Sequence, residues 1–235
     1  MPVTGTKTSN VGAEPTAEGS GSRAPDLRET AVRGGIYLAG RQVVALLMKL
    51  VGVMLITRVL GPTEYGAYVA AYSVYLYSFL IGQAGVGIYL LRTQGEVPAI
   101  TWRTAYTLLL LSAGLLTTCL ESSRMLFAAW TGVAHYEDVM TVMAVALPFQ
   151  LISIPPTIRL ERTLNYRYVA VVEIGGDLAY YCLATPLALL GYGAISLAVA
   201  LVIQQAVFCW LAHHLSCTRP QLGGDRSTAI EILRY

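Results

Sequence analysis

The chain is a succession of long apolar runs separated by short charged breaks, and the runs have the length of membrane-spanning helices. A helix rises 1.5 Å per residue, so crossing a hydrocarbon layer about 30 Å thick takes roughly 20 apolar residues. Gly35 to Val59 is apolar except for Arg41, Lys49 and the terminal Arg58, and Tyr65 to Leu91 contains no charge at all. Thr104 to Leu120 is uncharged and extends toward Phe127. Val139 to Ile158 is also uncharged, with Pro148, Pro155 and Pro156 expected to kink or end it. Leu178 to Ala212 is uncharged over 35 positions, too long for one crossing and broken by Gly191-Tyr192-Gly193. Only 13 uncharged residues precede Gly191, so a complete fifth span reaches back to about Ala170 and takes Glu173 and Asp177 into the membrane or its near interface. The sixth runs from Ala194 to about His213. The pattern predicts an all-α polytopic membrane protein with six transmembrane helices.

Composition agrees with this reading. Hydrophobic residues make up 55% and charged residues 13%, where soluble domains carry roughly 45–50% and about 25%. That is too little charge to solvate the surface of a soluble fold. Residues 1–33 hold 8 of the 30 charged side chains and almost nothing large and apolar before Leu27, which predicts a disordered tail. It has no apolar core of a signal peptide. The expected organisation is a tail over 1–33, a six-helix lobe over 34–215 and a C-terminal tail over 216–235. A net charge of +2 gives no electrostatic footprint for nucleic acid. Cys119, Cys182, Cys209 and Cys217 form no metal or disulfide spacing, and His213-His214 with Cys217 fits no familiar metal site. No phosphate-binding G-x-x-x-x-G-K-[ST], G-x-S-x-G or H-E-x-x-H occurs, so no enzymatic activity, cofactor or metal is expected.

Arginine and lysine placement sets the orientation. The N-terminal segment, the second and fourth loops and the C-terminal segment fall on one side and carry twelve basic residues; the other side carries Arg58 and Arg124. Both termini are therefore expected on the cytoplasmic side of the cell inner membrane.

Arg58-Val59-Leu60-Gly61-Pro62-Thr63-Glu64-Tyr65-Gly66-Ala67-Tyr68 resembles the junction between the first two spans of polysaccharide flippases. These belong to the multidrug/oligosaccharidyl-lipid/polysaccharide exporter superfamily. Arg159-Leu160-Glu161-Arg162-Thr163-Leu164-Asn165-Tyr166-Arg167, then Glu173, then Leu190-Gly191-Tyr192-Gly193-Ala194, is similar to that family's fourth-loop and fifth-span pattern. The resemblance covers about residues 34 to 235. It implies one lobe of a two-lobed transporter that moves a polyprenyl-pyrophosphate-linked glycan to the outer leaflet by alternating access. Only the first lobe's pattern is present, which implies a truncated chain, a homodimer or a separately encoded second lobe. Locally, Gly61 suits a helix end, Pro62 the first turn of the next helix, and Glu64 that helix's positive end.

Ionisable residues inside spans are functional candidates, since placing one there costs about 2.5–3.5 kcal/mol even on insertion scales. Arg41 and Asp177 each lie about seven residues into their spans from the same side, so an ion pair is expected, with Glu173 one turn nearer the surface; ion coupling by the two acids is the other reading. Lys49 lies near mid-span with no acid expected at its depth. It is about 80° from Arg41 around the helix, so both can face a cavity and hold an anionic head group. Tyr65, Tyr68, Tyr72 and Tyr75 share an arc of about 80°, and the deeper pair, Tyr72 and Tyr75, is a candidate for stacking on sugars or for packing between helices. Gln83, Gln150, Gln204 and Gln205 either line a hydrated path or hydrogen-bond between helices. Three functions compete: a lipid-linked oligosaccharide flippase, a ligase or polymerase acting on such lipids, and a small-molecule exporter. The outer loops offer few groups for an enzyme, and an unpaired positive cavity favours the flippase.

Overall fold

The computed structural model describes the backbone of residues 23–234 except Gln94, Val133 and Ala134; the side chains before Gln42, and those of Val44, Ala45 and Leu233, also lie outside it. Among the described residues there are nine helices and no strand. They are α1 (Arg23–Gln83), α2 (Val86–Arg92), α3 (Ala99–Thr131), α4 (Tyr136–Ala144), α5 (Ala146–Ile152), α6 (Ile154–Arg162), α7 (Tyr166–Leu189), α8 (Ala194–Ser216) and α9 (Arg226–Arg234). The chain divides into two compact units. In Met1–Gly40, α1 begins at Arg23, inside the segment expected to be a tail; residues 1–22 of that expectation lie outside the described residues. The unit Arg41–Tyr235 holds the rest of α1 and all of α2 to α9.

Among the described residues, four stretches are long and apolar enough to cross a membrane: Leu46–Gln83, Ala99–Thr131, Tyr136–Arg162 and Ala194–Ser216. The first is two helical arms, because Gly61 breaks it at φ 78° and ψ 171° and Pro62 starts the second arm. Only glycine takes that conformation readily. The prolines after Val139 bend their run without ending it: α4, α5 and α6 follow one another through single residues, Val145 and Ser153, that keep near-helical backbone. α7 is long enough to cross at 24 residues, but with Glu173 and Asp177 inside it, it is not among those four stretches. Positive φ at Gly191 and Gly193 turns the chain from α7 into α8, as the Gly-Tyr-Gly string predicts.

α8 packs against α7 along its length and also touches α4, α5 and α6. α3 packs on α4 and α5. The core is the apolar seam between them, with Leu109, Val139, Met143, Leu147, Leu151 and Leu197 fully enclosed. Many large apolar side chains face outward, among them Leu47, Leu50, Met54 and Leu115, as expected where hydrocarbon is the solvent.

Polar clasps fix the two ends. At one end, Glu64 Oε2 accepts the Ala194 N–H at 2.9 Å and so caps the N-terminus of α8. Glu64 thus serves a helix distant in sequence, in addition to lying in the first turn of its own arm. At the other end, Arg162 donates to the carbonyls of Leu90 (2.6 Å), Thr93 (2.8 Å) and Gly95, where α2 finishes. The C-terminal segment docks at this same end: Arg103 donates to Gln221 at 2.8 Å, Thr107 pairs with Gly223, and Ile232 of α9 is buried. The arginine-rich segments Arg92–Arg103, Arg159–Arg167 and Arg219–Arg234 therefore gather at one end, and the Gly61 and Gly193 turns meet at the other.

Candidate functional site

A cavity of about 500 Å³ opens between α1, α2, α5, α6, α7 and α8. Each wall follows from helical spacing. On α1, Gln42, Leu46 and Lys49 recur at four and three residues and so share a face. On α5 and α6, Gln150, Ser153, Thr157 and Glu161 make a polar stripe at the same spacing. α7 supplies Glu173 and Asp177 one turn apart, and α8 supplies Gln204, Gln205 and Phe208. The rest of the lining is mainly apolar, including Phe79, Ile88 and Leu91.

Asp177 is the centre of the polar wall. Its Oδ1 accepts the Gln204 amide at 2.9 Å, and its Oδ2 lies 3.8 Å from Lys49 Nζ. The ion pair is too long for a hydrogen bond, so the ammonium is attracted but not locked. The Lys49 side chain is 59% exposed and that of Asp177 12%. Together with the cavity lining, this makes Lys49 the accessible partner and Asp177 the anchored one.

Several site expectations need correction. Lys49 has an acid at its depth after all. α7 begins at Tyr166, four residues before the expected start, so Asp177 is deeper than assumed. Lys49 lies 12 residues before the Gly61 break and Asp177 lies 12 before the end of α7, and these two ends are held together by Glu64 and Ala194. Among the described residues the cavity lining carries Glu161, Glu173 and Asp177 as well as Lys49, so Lys49 is not the unpaired positive charge that was expected. The pair expected between Arg41 and Asp177 involves a side chain outside the described residues; among the described residues Lys49 pairs with Asp177.

Tyr72 and Tyr75 do not line the cavity. The four tyrosines form a ladder on one face of α1, with ring centroids 5.7 Å apart for Tyr68–Tyr72 and 5.9 Å for Tyr72–Tyr75. Tyr75 is 1% exposed, which leaves it no surface for a sugar. Its hydroxyl donates to the Gln150 side chain, while Tyr180 donates to Tyr68 at 3.2 Å. The ladder packs helices together and orients one cavity amide. Of the glutamines expected on a hydrated path or between helices, all four line the cavity, and two of them, Gln150 and Gln204, also hydrogen-bond between helices. His213 is engaged with Tyr106 at 3.2 Å and the Cys209 carbonyl at 2.8 Å, and among the described residues no three potential ligands converge on a metal position.

A helical protein with apolar side chains facing outward, four stretches able to cross a membrane and an interior polar cleft belongs to the class of polytopic membrane proteins. The family follows from comparison: residues 55–235 match the family model for polysaccharide biosynthesis proteins, and the chain belongs to that family. Over 164 residues it is 28% identical to the succinoglycan biosynthesis transport protein ExoT of Rhizobium meliloti (strain 1021). The aligned stretch is 68% of this chain and 32% of that relative, so the chain spans about a third of the relative's length. No solved structure matches.

Proposed function

We propose that the chain forms a six-span lobe that helps move lipid-linked oligosaccharide or polysaccharide units across the cytoplasmic membrane by alternating access. The six spans are the two arms of α1 (the second continued by α2), α3, the α4–α6 run, α7 and α8, with the arginine-rich end and both termini in the cytoplasm. A second six-span body, another copy or a separate chain, faces the cavity about an axis along the membrane normal, as parallel repeats do.

The observation that carries this reading is the Lys49–Asp177–Gln204 cluster at mid-depth on an amide-lined wall. Side-chain amides both donate and accept, which suits sugar hydroxyls. Lys49 meets a diphosphate by exchanging Asp177 for it, and Gln204 keeps the vacated carboxylate hydrogen-bonded. Glu173 stands one turn from Asp177 toward the arginine-rich end and extends the polar wall.

The three lining carboxylates favour a second reading, export of small cationic molecules. Binding to the purified protein in lipid nanodiscs separates the two, using a fluorescent polyprenyl-diphosphate saccharide and ethidium as probes. The flippase reading expects saccharide binding that Lys49→Ala weakens about tenfold to a hundredfold, the worth of one charge-assisted hydrogen bond. Ethidium binding without saccharide binding supports the exporter instead.

A further inference from the structure

A second hollow, of about 350 Å³, lies at the arginine-rich end, away from the cavity described above. It is bounded by the first turns of α3, the last turn of α6 and the segment after α8. Arg103, Arg159 and Arg219 come to it from these three places, and the half-buried Trp102 and the buried Tyr106 complete the lining. Among the described residues none of the three arginines has a carboxylate partner within ion-pair distance. Arg103 uses its Nε on Gln221 at 2.8 Å, which holds the segment in place and leaves the outer guanidinium nitrogens to the hollow. The N-terminus of α3 opens here too, at Ala99, and adds the positive end of a 33-residue helix.

Unpaired arginines that converge without an acid are a site for an anion. Two features make the anion a lipid. Trp102, half-buried between the hollow and the apolar core, lines it, and aromatic rings between an apolar and a polar layer mark the head-group level. Leu222 and Ile230, in the segment docked beside it, are exposed apolar side chains at the same end of the molecule, positioned as an interfacial segment is. We infer that this hollow binds the phosphate of an anionic phospholipid head group, and that the bound lipid links α3, α6 and the C-terminal segment at the membrane surface.

The test is quenching of Trp102 fluorescence by head-group spin-labelled phosphatidylglycerol against the same label on phosphatidylcholine, in a Trp130→Phe/Trp210→Phe background reconstituted in vesicles. Both replaced tryptophans are exposed, so the background should fold. The wild-type site prefers phosphatidylglycerol. Arg159→Gln/Arg219→Gln keeps the Arg103–Gln221 bond and removes two charges, so the preference falls about thirtyfold at roughly tenfold or less per arginine. Arg92→Gln/Arg234→Gln removes equal charge from the same end outside the hollow and leaves the preference unchanged. An equal fall in the two double variants, or no fall in the first, overturns the site. Displacement of the labelled lipid by millimolar inorganic phosphate overturns the lipid assignment.

Discussion

The clasp between Glu64 and the start of α8 makes a quantitative prediction about Gly193. Its backbone, at φ 59° and ψ −145°, lies where side chains are rarely tolerated, which costs about 1–3 kcal/mol for a non-glycine residue. A Cβ there would also lie 2.6 Å from Glu64 Oε2 and 3.2 Å from its Cδ. Gly193→Ala therefore strains the turn and expels the carboxylate from the helix end, where the cap is worth about 1–2 kcal/mol. The sum is about 2–5 kcal/mol. Gly191, at φ 86°, has open space around its Cβ position, so Gly191→Ala bears the backbone cost alone. The assay is the unfolding equilibrium in mixed micelles titrated with sodium dodecyl sulfate. Gly193→Ala should lose more stability than Gly191→Ala, and Glu64→Ala combined with Gly193→Ala should cost about 1–2 kcal/mol less than the sum of the two single changes, because both remove the same cap. Strict additivity, or equal losses at Gly191 and Gly193, would refute the clasp.

Other substitutions report on the helix contacts that shape the cavity. A Cβ at Gly52 would overlap the Tyr181 ring, so Gly52→Ala should destabilise by about 1–3 kcal/mol, and adding Tyr181→Ala should recover part of the loss in the same titration. Arg162→Gln removes the donor shared by the Leu90, Thr93 and Gly95 carbonyls; a loss of about 2–3 kcal/mol is expected, with faster amide exchange over residues 90–95 as the local signature. Tyr75→Phe takes one hydrogen bond from Gln150; water in the cavity replaces it, so stability should fall by no more than about 1 kcal/mol, whereas a sugar-stacking role would show as weakened saccharide binding.

Much of the fold was legible because membrane helices are written in run length. The Gly61-Pro62 break, the Gly191–Gly193 turn and the bends near the prolines all fall where the sequence places them, since each rests on the backbone chemistry of glycine or proline. The grouping of arginine-rich loops at one end was legible from charge alone. The site was less so. Burial of Tyr75 depends on which neighbour faces it, and an arc of tyrosines looks the same whether it meets a sugar or another helix. The Lys49–Asp177 pair was not legible because one minimal crossing counted back from Gly191 begins at Ala170, whereas α7 begins at Tyr166 and sets Asp177 deeper. The stripe Gln150, Ser153, Thr157, Glu161 carried a readable signal, polar groups at helical spacing in a span, yet its prolines drew attention to kinking instead. Glu64 reaching α8 could not be read at all, because nothing local to either string points to the other.

The proposed function requires Lys49 to stand in a water-filled cleft beside Asp177 and not among acyl chains. In a background with the four cysteines replaced, single cysteines at Lys49 and Gln204, which line the cavity, are compared with one at Met54, an exposed apolar position on the same helix arm as Lys49. Reaction with a charged, membrane-impermeant methanethiosulfonate measures access to water directly. Rapid modification is expected at positions 49 and 204, slowed by bound lipid-linked saccharide, and almost none at 54. Reaction at 49 as slow as at 54 would place the lysine in lipid and contradict the proposed function.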